Sequence, residues 1–176
     1  MRNGARGAGV LALGGALGFF SSRIARGDTV WQIDPYKCVQ CGKCATNCVL
    51  DTSAVKCVHA FAMCGYCEIC TGFVEPNAEN PAGGPENELC PVGAIERSFV
   101  EDPFYQYVID EELCTGCGKC VKGCNAFGNG SLFLQIRHDR CLDCNQCSIA
   151  EACPSQAVVR VPADRPYLLK KPDKTG

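Results

Sequence analysis

The chain has 176 residues, of which 17 are cysteine, and its formal net charge at pH 7 is −2. This length suits one or two small domains, and the near-neutral charge, with no basic stripe, argues against a nucleic-acid binder. Hydrophobic residues make up 47% of the chain, but the cysteines are counted among them. What remains is thin for an ordinary core, and small domains then need cross-links or metals. Composition therefore predicts that sulfur chemistry holds the fold together.

The first thirty residues contain an uncharged, apolar stretch, GAGVLALGGALGFFSS, which lies between Arg6 and Arg23. It is short for a transmembrane helix, which needs about 20 apolar residues, and its glycines weaken a helix further. It has the length of a secretory apolar core, but no clean cleavage site follows it. Residues 1–30 are therefore interpreted as a signal-like or membrane-anchor segment. Arginines at both ends leave the orientation undecided, so export, an anchor facing either way and a helix docked on a partner all stay open.

The predicted secondary structure is short. Alternating β-branched and aromatic residues predict strands at TVWQI (29–33) and YQYVI (105–109), as the first strands of two modules. GAIERSF (93–99) and QAVVRV (156–161) are predicted to be their closing partners, in that order. SLFLQI (131–136) is a further predicted strand, and brief helical turns are expected after the cysteine triplets.

The spacing of the cysteines decides among disulfides, zinc and iron–sulfur. Cys38, Cys41, Cys44 and Cys48 form the run CxxCxxCxxxC. A disulfide gains nothing from regular triplets, and structural zinc usually takes pairs of the form CxxC. The longer run is typical of a loop wrapped around a cubane cluster, with three thiolates on one cluster and the fourth cysteine directed to another. The spacing therefore favours iron–sulfur.

The cysteine pattern occurs twice, each time as a run of four, a second triplet and a later Cys-Pro pair. The run and the triplet return 76 and 77 residues further along the chain. Matched offsets of this kind are typical of a duplicated module. The first copy comprises Cys38, Cys41, Cys44, Cys48, Cys64, Cys67, Cys70 and Cys90, and the second comprises Cys114, Cys117, Cys120, Cys124, Cys141, Cys144, Cys147 and Cys153.

Each copy resembles a bacterial two-cluster ferredoxin, and residues 31–161 as a whole resemble a four-cluster polyferredoxin. The resemblance implies an α+β fold of two tandem ferredoxin-like modules, with small strands and short helices around four [4Fe–4S] clusters. The modules would span residues 31–104, with a loop insertion near 71–89, and residues 105–161. The N-terminal apolar segment precedes them, and a C-terminal tail follows at 162–176.

In this family, three cysteines of one run share a cluster with the last cysteine of the other run. Carried onto tandem modules, this rule uses all the cysteines but one. The implied ligand sets are Cys38, Cys41 and Cys44 with Cys90; Cys64, Cys67 and Cys70 with Cys48; Cys114, Cys117 and Cys120 with Cys153; and Cys141, Cys144 and Cys147 with Cys124. A nested pairing, of the first run with the last and the second with the third, is the alternative. The matched offsets favour the tandem pairing.

The chain departs from the family pattern after two of its cysteines and in two gaps, from Cys70 to Cys90 and from Cys147 to Cys153. Val49 and Asn125 stand where the family has proline, so each turn is less rigid. The gap between Cys70 and Cys90 holds a proline- and glycine-rich insertion, which is typical of a surface loop.

Cys57 is the cysteine that the tandem ligand sets leave over. We interpret it as a small apolar residue packed beneath a cluster, because free cysteine is commonly buried. Ligation in place of Cys48 and a redox-responsive thiol are the alternatives. His59 and His138 are expected to be surface or hydrogen-bonding side chains.

The resemblance implies an electron carrier and not an enzyme, since a cluster held by four cysteines offers a substrate no open position. It implies redox-protein partners, above all a membrane-bound electron-transport complex, as for ferredoxin-type subunits of Rnf-like complexes or periplasmic nitrate-reductase systems. No nucleic acid and no small-molecule substrate are expected on this chain. We expect it at the membrane, with the periplasmic face favoured over the cytoplasmic face. Two rival interpretations are the iron–sulfur subunit of an oxidoreductase whose catalytic site lies on another chain, and a zinc protein.

Overall fold

The computed structural model describes residues 28–65 and 90–171. The predicted apolar segment before residue 28, the insertion near 71–89 and the last five residues lie outside this part of the chain, as do Cys67 and Cys70. Within the described ranges, no helix is both long enough and apolar enough to cross a membrane.

The described part of the chain contains short strands and three short helices, an α+β mixture as predicted. Two helices begin directly after a glycine of the repeated CGKC sequence, Gly42 at φ 80° and Gly118 at φ 77°. The helices are α1 (Lys43–Asn47), α2 (Lys119–Phe127) and α3 (Ser148–Ala152). The strands are β1 (Thr29–Ile33), β2 (Val55–His59), β3 (Met63–Cys64), β4 (Ile95–Glu101), β5 (Phe104–Ile109), β6 (Leu132–Ile136) and β7 (Val158–Pro162).

The strands form three small antiparallel sheets. β1 pairs with β7 along its whole length, from Thr29 opposite Pro162 to Ile33 opposite Val158. β2 pairs with β6 in the same way, and the third sheet has the order β3-β5-β4. The first sheet joins the two ends of the described chain, and the second also joins strands that lie on either side of residue 104. The strand pairing is therefore nested.

The predicted strands are present, but their partners differ from the prediction. TVWQI forms β1, which pairs with the strand of QAVVRV and not with that of GAIERSF. GAIERSF contributes instead to β4, which pairs with β5. The reason is local: β4 ends at Glu101 and β5 begins at Phe104, and strands joined by so short a connection pair as a hairpin. The pairing does not follow the tandem division at residue 104, and β7 is left to pair with β1.

The core combines aliphatic side chains with cysteines, and β2 and β6 lie within it. Every residue of β6 is buried, which is typical of a strand covered on both faces. The most deeply buried aliphatic side chains of β2 and β6 are those of Val55, Leu134 and Ile136. The buried cysteines among the described residues are Cys44, Cys57, Cys114 and Cys120. Sulfur thus supplies part of the core, as the composition predicts.

The chain that follows β7 packs back over the strands and helices. The carbonyl oxygen of Pro166 accepts a hydrogen bond of 3.0 Å from Nε2 of Gln32 on β1. The ammonium of Lys170 donates to the side chain of Asn125 on α2 and to the carbonyl of Gly130. Asn125, which replaces the proline of the family pattern, therefore anchors part of the segment that the sequence predicts to be a tail.

Candidate functional site

Three of the cysteine runs begin with the same loop conformation. The residue two positions after the first cysteine adopts a left-handed backbone conformation and directs its N–H at that cysteine's sulfur. The amide of Asp143, for example, lies 3.4 Å from Sγ of Cys141. Such donors stabilise the thiolate form, which is the form that binds metal. The left-handed residues are Gln40 (φ 50°), Gly116 (φ 74°) and Asp143 (φ 46°).

The two Cys-Pro loops form a second matched pair. The amide of Ala94 lies 3.2 Å from Sγ of Cys90, and the amide of Ala157 lies 3.3 Å from Sγ of Cys153. Burial acts to raise the pKa of Cys153, but the amide and hydroxyl donors around its sulfur outweigh burial and hold this pKa below its ordinary value. Both loops thus present a sulfur that already accepts a hydrogen bond from its own backbone.

The first triplet lies beside the Cys-Pro loop at the far end of the chain. Burial raises the pKa of Cys44 to about 12, and the negative charges of Cys38, Cys41, Cys153 and Cys147 add to the rise in that order. Cys153 contributes to the raised pKa of Cys38 as well. The fourth cysteine beside this triplet is therefore Cys153 and not Cys90, which the tandem pairing predicts.

The fourth triplet lies beside Cys48. Cys48, Cys141, Cys144 and Cys147 line one cavity. Cys48 also adds, after burial and nearer groups, to the raised pKa of Cys141. The tandem pairing predicts Cys124 in this place.

The third triplet lies beside Cys90. Cys90, Cys114, Cys117 and Cys120 line one cavity, which Cys57 also lines. The amide of Cys57 donates to Sγ of Cys114 over 3.3 Å. The tandem pairing predicts Cys153 in this place.

Cys64, the described member of the second triplet, lies beside Cys124. Both residues line a cavity that Cys120 and His59 line as well. The tandem pairing predicts Cys48 beside Cys64. All four groupings follow the nested alternative, because the β1–β7 and β4–β5 pairings bring each Cys-Pro loop to a different triplet from the one predicted.

Four sets of cysteines thus meet across the nested strands, and their donor chemistry fits iron–sulfur clusters. Thiolates are the soft ligands that such clusters take, and amide N–H groups at the sulfurs are a usual part of their surroundings. In residues 28–65 and 90–171, no three His, Cys, Asp or Glu side chains converge closely enough to hold a single metal ion.

The four sets form one line of neighbours, in the order fourth, first, third and second triplet. Cys147 is among the charges that act on Cys44, so the fourth-triplet and first-triplet sets are neighbours. A Cβ atom at Gly42 would lie 3.1 Å from the carbonyl oxygen of Cys117, so the first and third triplets pack backbone against backbone. Cys120 lines both the third-triplet cavity and the cavity of Cys64. The repeated CGKC glycines therefore mark the contact between the two middle sets.

Arg160 on β7 fixes the loop of the fourth triplet. Its guanidinium lies 4.4 Å from the centre of the Trp31 ring and pairs with Asp143 at 2.9 Å. It also donates to the carbonyl of Cys144 at 3.1 Å, and Trp31 Nε1 donates to the same carbonyl at 2.7 Å. The β1–β7 pairing places Trp31 directly opposite Arg160, so these two residues hold the loop together.

Replacing Arg160 by alanine is expected to lower the free energy of unfolding by about 2 kcal/mol, because charged hydrogen bonds and a cation–π contact are lost at a partly exposed site. Arg160→Lys should recover less than half of this loss, since lysine lacks the planar fork that reaches Asp143 and Cys144 together. Anaerobic urea unfolding measures the effect, with the exposed Arg165→Ala as the matched control. Equal stabilities of the Arg160→Ala and Arg165→Ala proteins would contradict this role.

The remaining polar candidates lie in distinct places. Cys57 is buried, as its interpretation as a packed residue predicts, and its Sγ lies 3.5 Å from that of Cys120. The hydrogen bond to Cys120 and burial raise the pKa of Cys57, so Cys57 keeps its proton. His138 contacts Gln32 and the carbonyl of Pro166, which confirms a hydrogen-bonding role. Lys56, which the sequence does not single out, is fully buried beside Cys114.

Comparison with known proteins finds a distant similarity to a ferredoxin. The chain is 25% identical to an uncharacterized ferredoxin of Methanocaldococcus jannaschii over 142 residues. The aligned region covers 80% of this chain and 76% of that protein, so the similarity is not confined to one cysteine run. No sequence profile of a known protein family matches the chain.

Proposed function

We propose that the chain is an electron-transfer protein that holds four [4Fe–4S] clusters in nested cages. The observation that carries the proposal is the meeting of each described triplet cysteine with a cysteine from a distant part of the chain. The similarity to a ferredoxin supports the same class of function. The proposed ligand sets are Cys38, Cys41, Cys44 and Cys153; Cys141, Cys144, Cys147 and Cys48; Cys114, Cys117, Cys120 and Cys90; and Cys64, Cys67, Cys70 and Cys124.

The residues of this chain hold the clusters and set their surroundings. Bound [4Fe–4S] clusters supply one-electron oxidation and reduction. Four thiolates at each cage leave no position for a substrate. Loop amides donate to the sulfurs of Cys90, Cys141 and Cys153, and the β2 amide of Cys57 donates to that of Cys114. Such hydrogen bonds are among the factors that determine cluster potentials. The chain therefore acts as a carrier and not as a catalyst.

The proposed route of the electron follows the line of the four cages. One end lies at the fourth-triplet cage and the other at the second-triplet cage, with the first-triplet and third-triplet cages between them. The contact of Gly42 with the Cys117 carbonyl marks the step between the two modules. Partners that donate and accept electrons would thus dock at opposite ends of the line.

We propose that these partners are redox proteins, above all a membrane-bound electron-transport complex of the Rnf-like or periplasmic nitrate-reductase type. The apolar, arginine-flanked stretch of residues 7–22 supports a location at the membrane. The periplasmic face is favoured over the cytoplasmic face, because that stretch is similar to the apolar core of an export signal.

A second candidate is the iron–sulfur subunit of an oxidoreductase whose catalytic site lies on another chain. The observation that favours it is the β4–β5 hairpin, where Phe99, Val100, Phe104 and Val108 are all exposed. Exposed apolar patches of this kind are typical of surfaces that bind another protein. Copurification with a stoichiometric catalytic partner would favour this candidate over a free carrier.

Anaerobically purified protein is expected to contain about sixteen irons and sixteen acid-labile sulfides per chain, because each cubane holds four of each. The dithionite-reduced protein should give spin-coupled EPR signals, since neighbouring reduced clusters interact. Metal analysis of the same sample for zinc is the control. Zinc in place of iron, with no EPR signal, would end the electron-transfer proposal.

A further inference from the structure

Lys56 is a fully buried lysine among the described residues. It lies on β2 with 0% of its surface exposed. Its Nζ donates to the carbonyl oxygen of Cys114 over 2.6 Å. The backbone N–H of the next residue, Cys57, donates to Sγ of the same cysteine. β2 thus presents two successive donors to the first ligand of the third-triplet cage.

The charges around Lys56 leave its ammonium without a carboxylate of its own. Arg137 pairs with Glu111 at 3.1 Å, and Arg140 pairs with Glu112. Within the described ranges, Lys56 makes no ion pair with a carboxylate. A buried charge normally needs such a partner, because desolvation is costly. Burial lowers the pKa of Lys56, and among the surrounding negative charges Cys114 opposes this effect most, with Glu112 and Glu111 after it.

We propose that Lys56 is a positioning residue that raises the reduction potential of the third-triplet cluster by its charge; the inference rests on the proposed function. Reduction of a cluster adds one negative charge, and a cation nearby stabilises the reduced state. This attraction is strong where water and salt do not screen it. The electron that the cluster accepts comes from a neighbouring cluster of the same chain, which is thereby oxidised.

The exposed lysines of the same loops serve as a comparison. Lys43 and Lys119 occupy the position before the third cysteine of their triplets, and both are exposed. Solvent screens their charges, so their effect on a cluster is small. Of the two middle clusters, the third-triplet cluster is therefore the one that is more easily reduced, because Lys56 lies beside it.

The test is an EPR-monitored redox titration of Lys56→Gln and Lys56→Met proteins that carry their clusters. Glutamine retains a donor for the Cys114 carbonyl but has no charge, and methionine has neither. Both should lower one of the four potentials by 59 mV or more, a tenfold change in the reduction equilibrium of a one-electron couple. A Cys117→Ser protein identifies the third-triplet signal, and Lys119→Met is the matched control, expected to change the same equilibrium less than twofold.

Two outcomes would overturn the proposal. One is that neither variant changes the reduction equilibrium of any cluster by more than twofold. The other is that glutamine restores the wild-type potential where methionine lowers it, because the hydrogen bond and not the charge would then matter. If the methionine protein fails to retain its clusters, the glutamine protein decides alone. Iron and sulfide content of the wild-type protein separates these results from a failure of the proposed function itself.

Discussion

When the chain is divided into residues 1–104 and residues 105–176, each half should hold little iron. Two complete [4Fe–4S] clusters would give about eight iron atoms per half. In the nested arrangement, each of the four cages takes three cysteines from one half and one from the other. A division at residue 104 therefore leaves every cage incomplete. The tandem arrangement would leave two complete cages in each half. Iron and sulfide analysis of the two halves, purified without oxygen, measures the difference.

Co-expression of the two halves is the control for this division. The β1–β7 and β2–β6 pairings can form between separate chains, so the mixed halves should regain about sixteen irons. In the undivided protein, Cys153→Ala and Cys41→Ala should affect the same EPR signal, and Cys90→Ala a different one. Eight irons on an isolated half, or a shared signal for Cys90→Ala and Cys41→Ala, would show that the pairing is tandem.

Gly116→Ala is expected to cost about 3 kcal/mol or more of folding free energy and to remove one cluster, leaving about twelve irons. A Cβ atom at this position would lie 2.4 Å from the carbonyl oxygen of Val55, a distance that requires the backbone to shift. The backbone conformation alone is not the obstacle. Gln40 and Asp143 occupy the same position of their loops at φ 50° and 46° with side chains present.

Gly93→Ala is the matched control for Gly116→Ala. Gly93 also has a positive φ, of 62°, but a Cβ atom there would have nothing within 4 Å. Its substitution should therefore cost only the backbone penalty, about 1 kcal/mol, and leave the iron content unchanged. Similar losses of stability and iron in the two proteins would mean that the contact with Val55 does not matter.

The sequence predicts the strands of this fold better than their partners. Alternating residues reveal β1 and β5 because a half-buried strand leaves that pattern in its own sequence. Pairing depends on contacts between distant residues, so the matched offsets, although they favour the tandem pairing, do not exclude the nested one. The local sequence does predict one pairing. Only Asp102 and Pro103 connect β4 to β5, and strands joined by so short a connection form a hairpin.

In the candidate site, too, the sequence predicts local features better than contacts between distant residues. The cysteine runs predict that each run forms its own loop, and the structure adds the turn that directs an amide at Cys38, Cys114 and Cys141. Arg160 and Lys56 carry no motif, because their roles arise from strand pairing: Trp31 comes to face Arg160, and β2 comes to lie beside Cys114. Buried lysine in a strand is unusual enough to be informative, but only once its burial is known.

Strand β7 has a consequence for the order in which the protein can mature. During synthesis, the second-triplet and third-triplet cages have all their proposed ligands once the ribosome has passed Cys124. The first-triplet cage, although its run is made first, lacks its fourth ligand until Cys153 emerges. Under the proposed ligand sets, the thiols of Cys38, Cys41 and Cys44 would therefore have to stay reduced until Cys153 has been made. In the proposed arrangement, cluster delivery proceeds from the inside outwards, and the earliest cysteines are among the last to be filled.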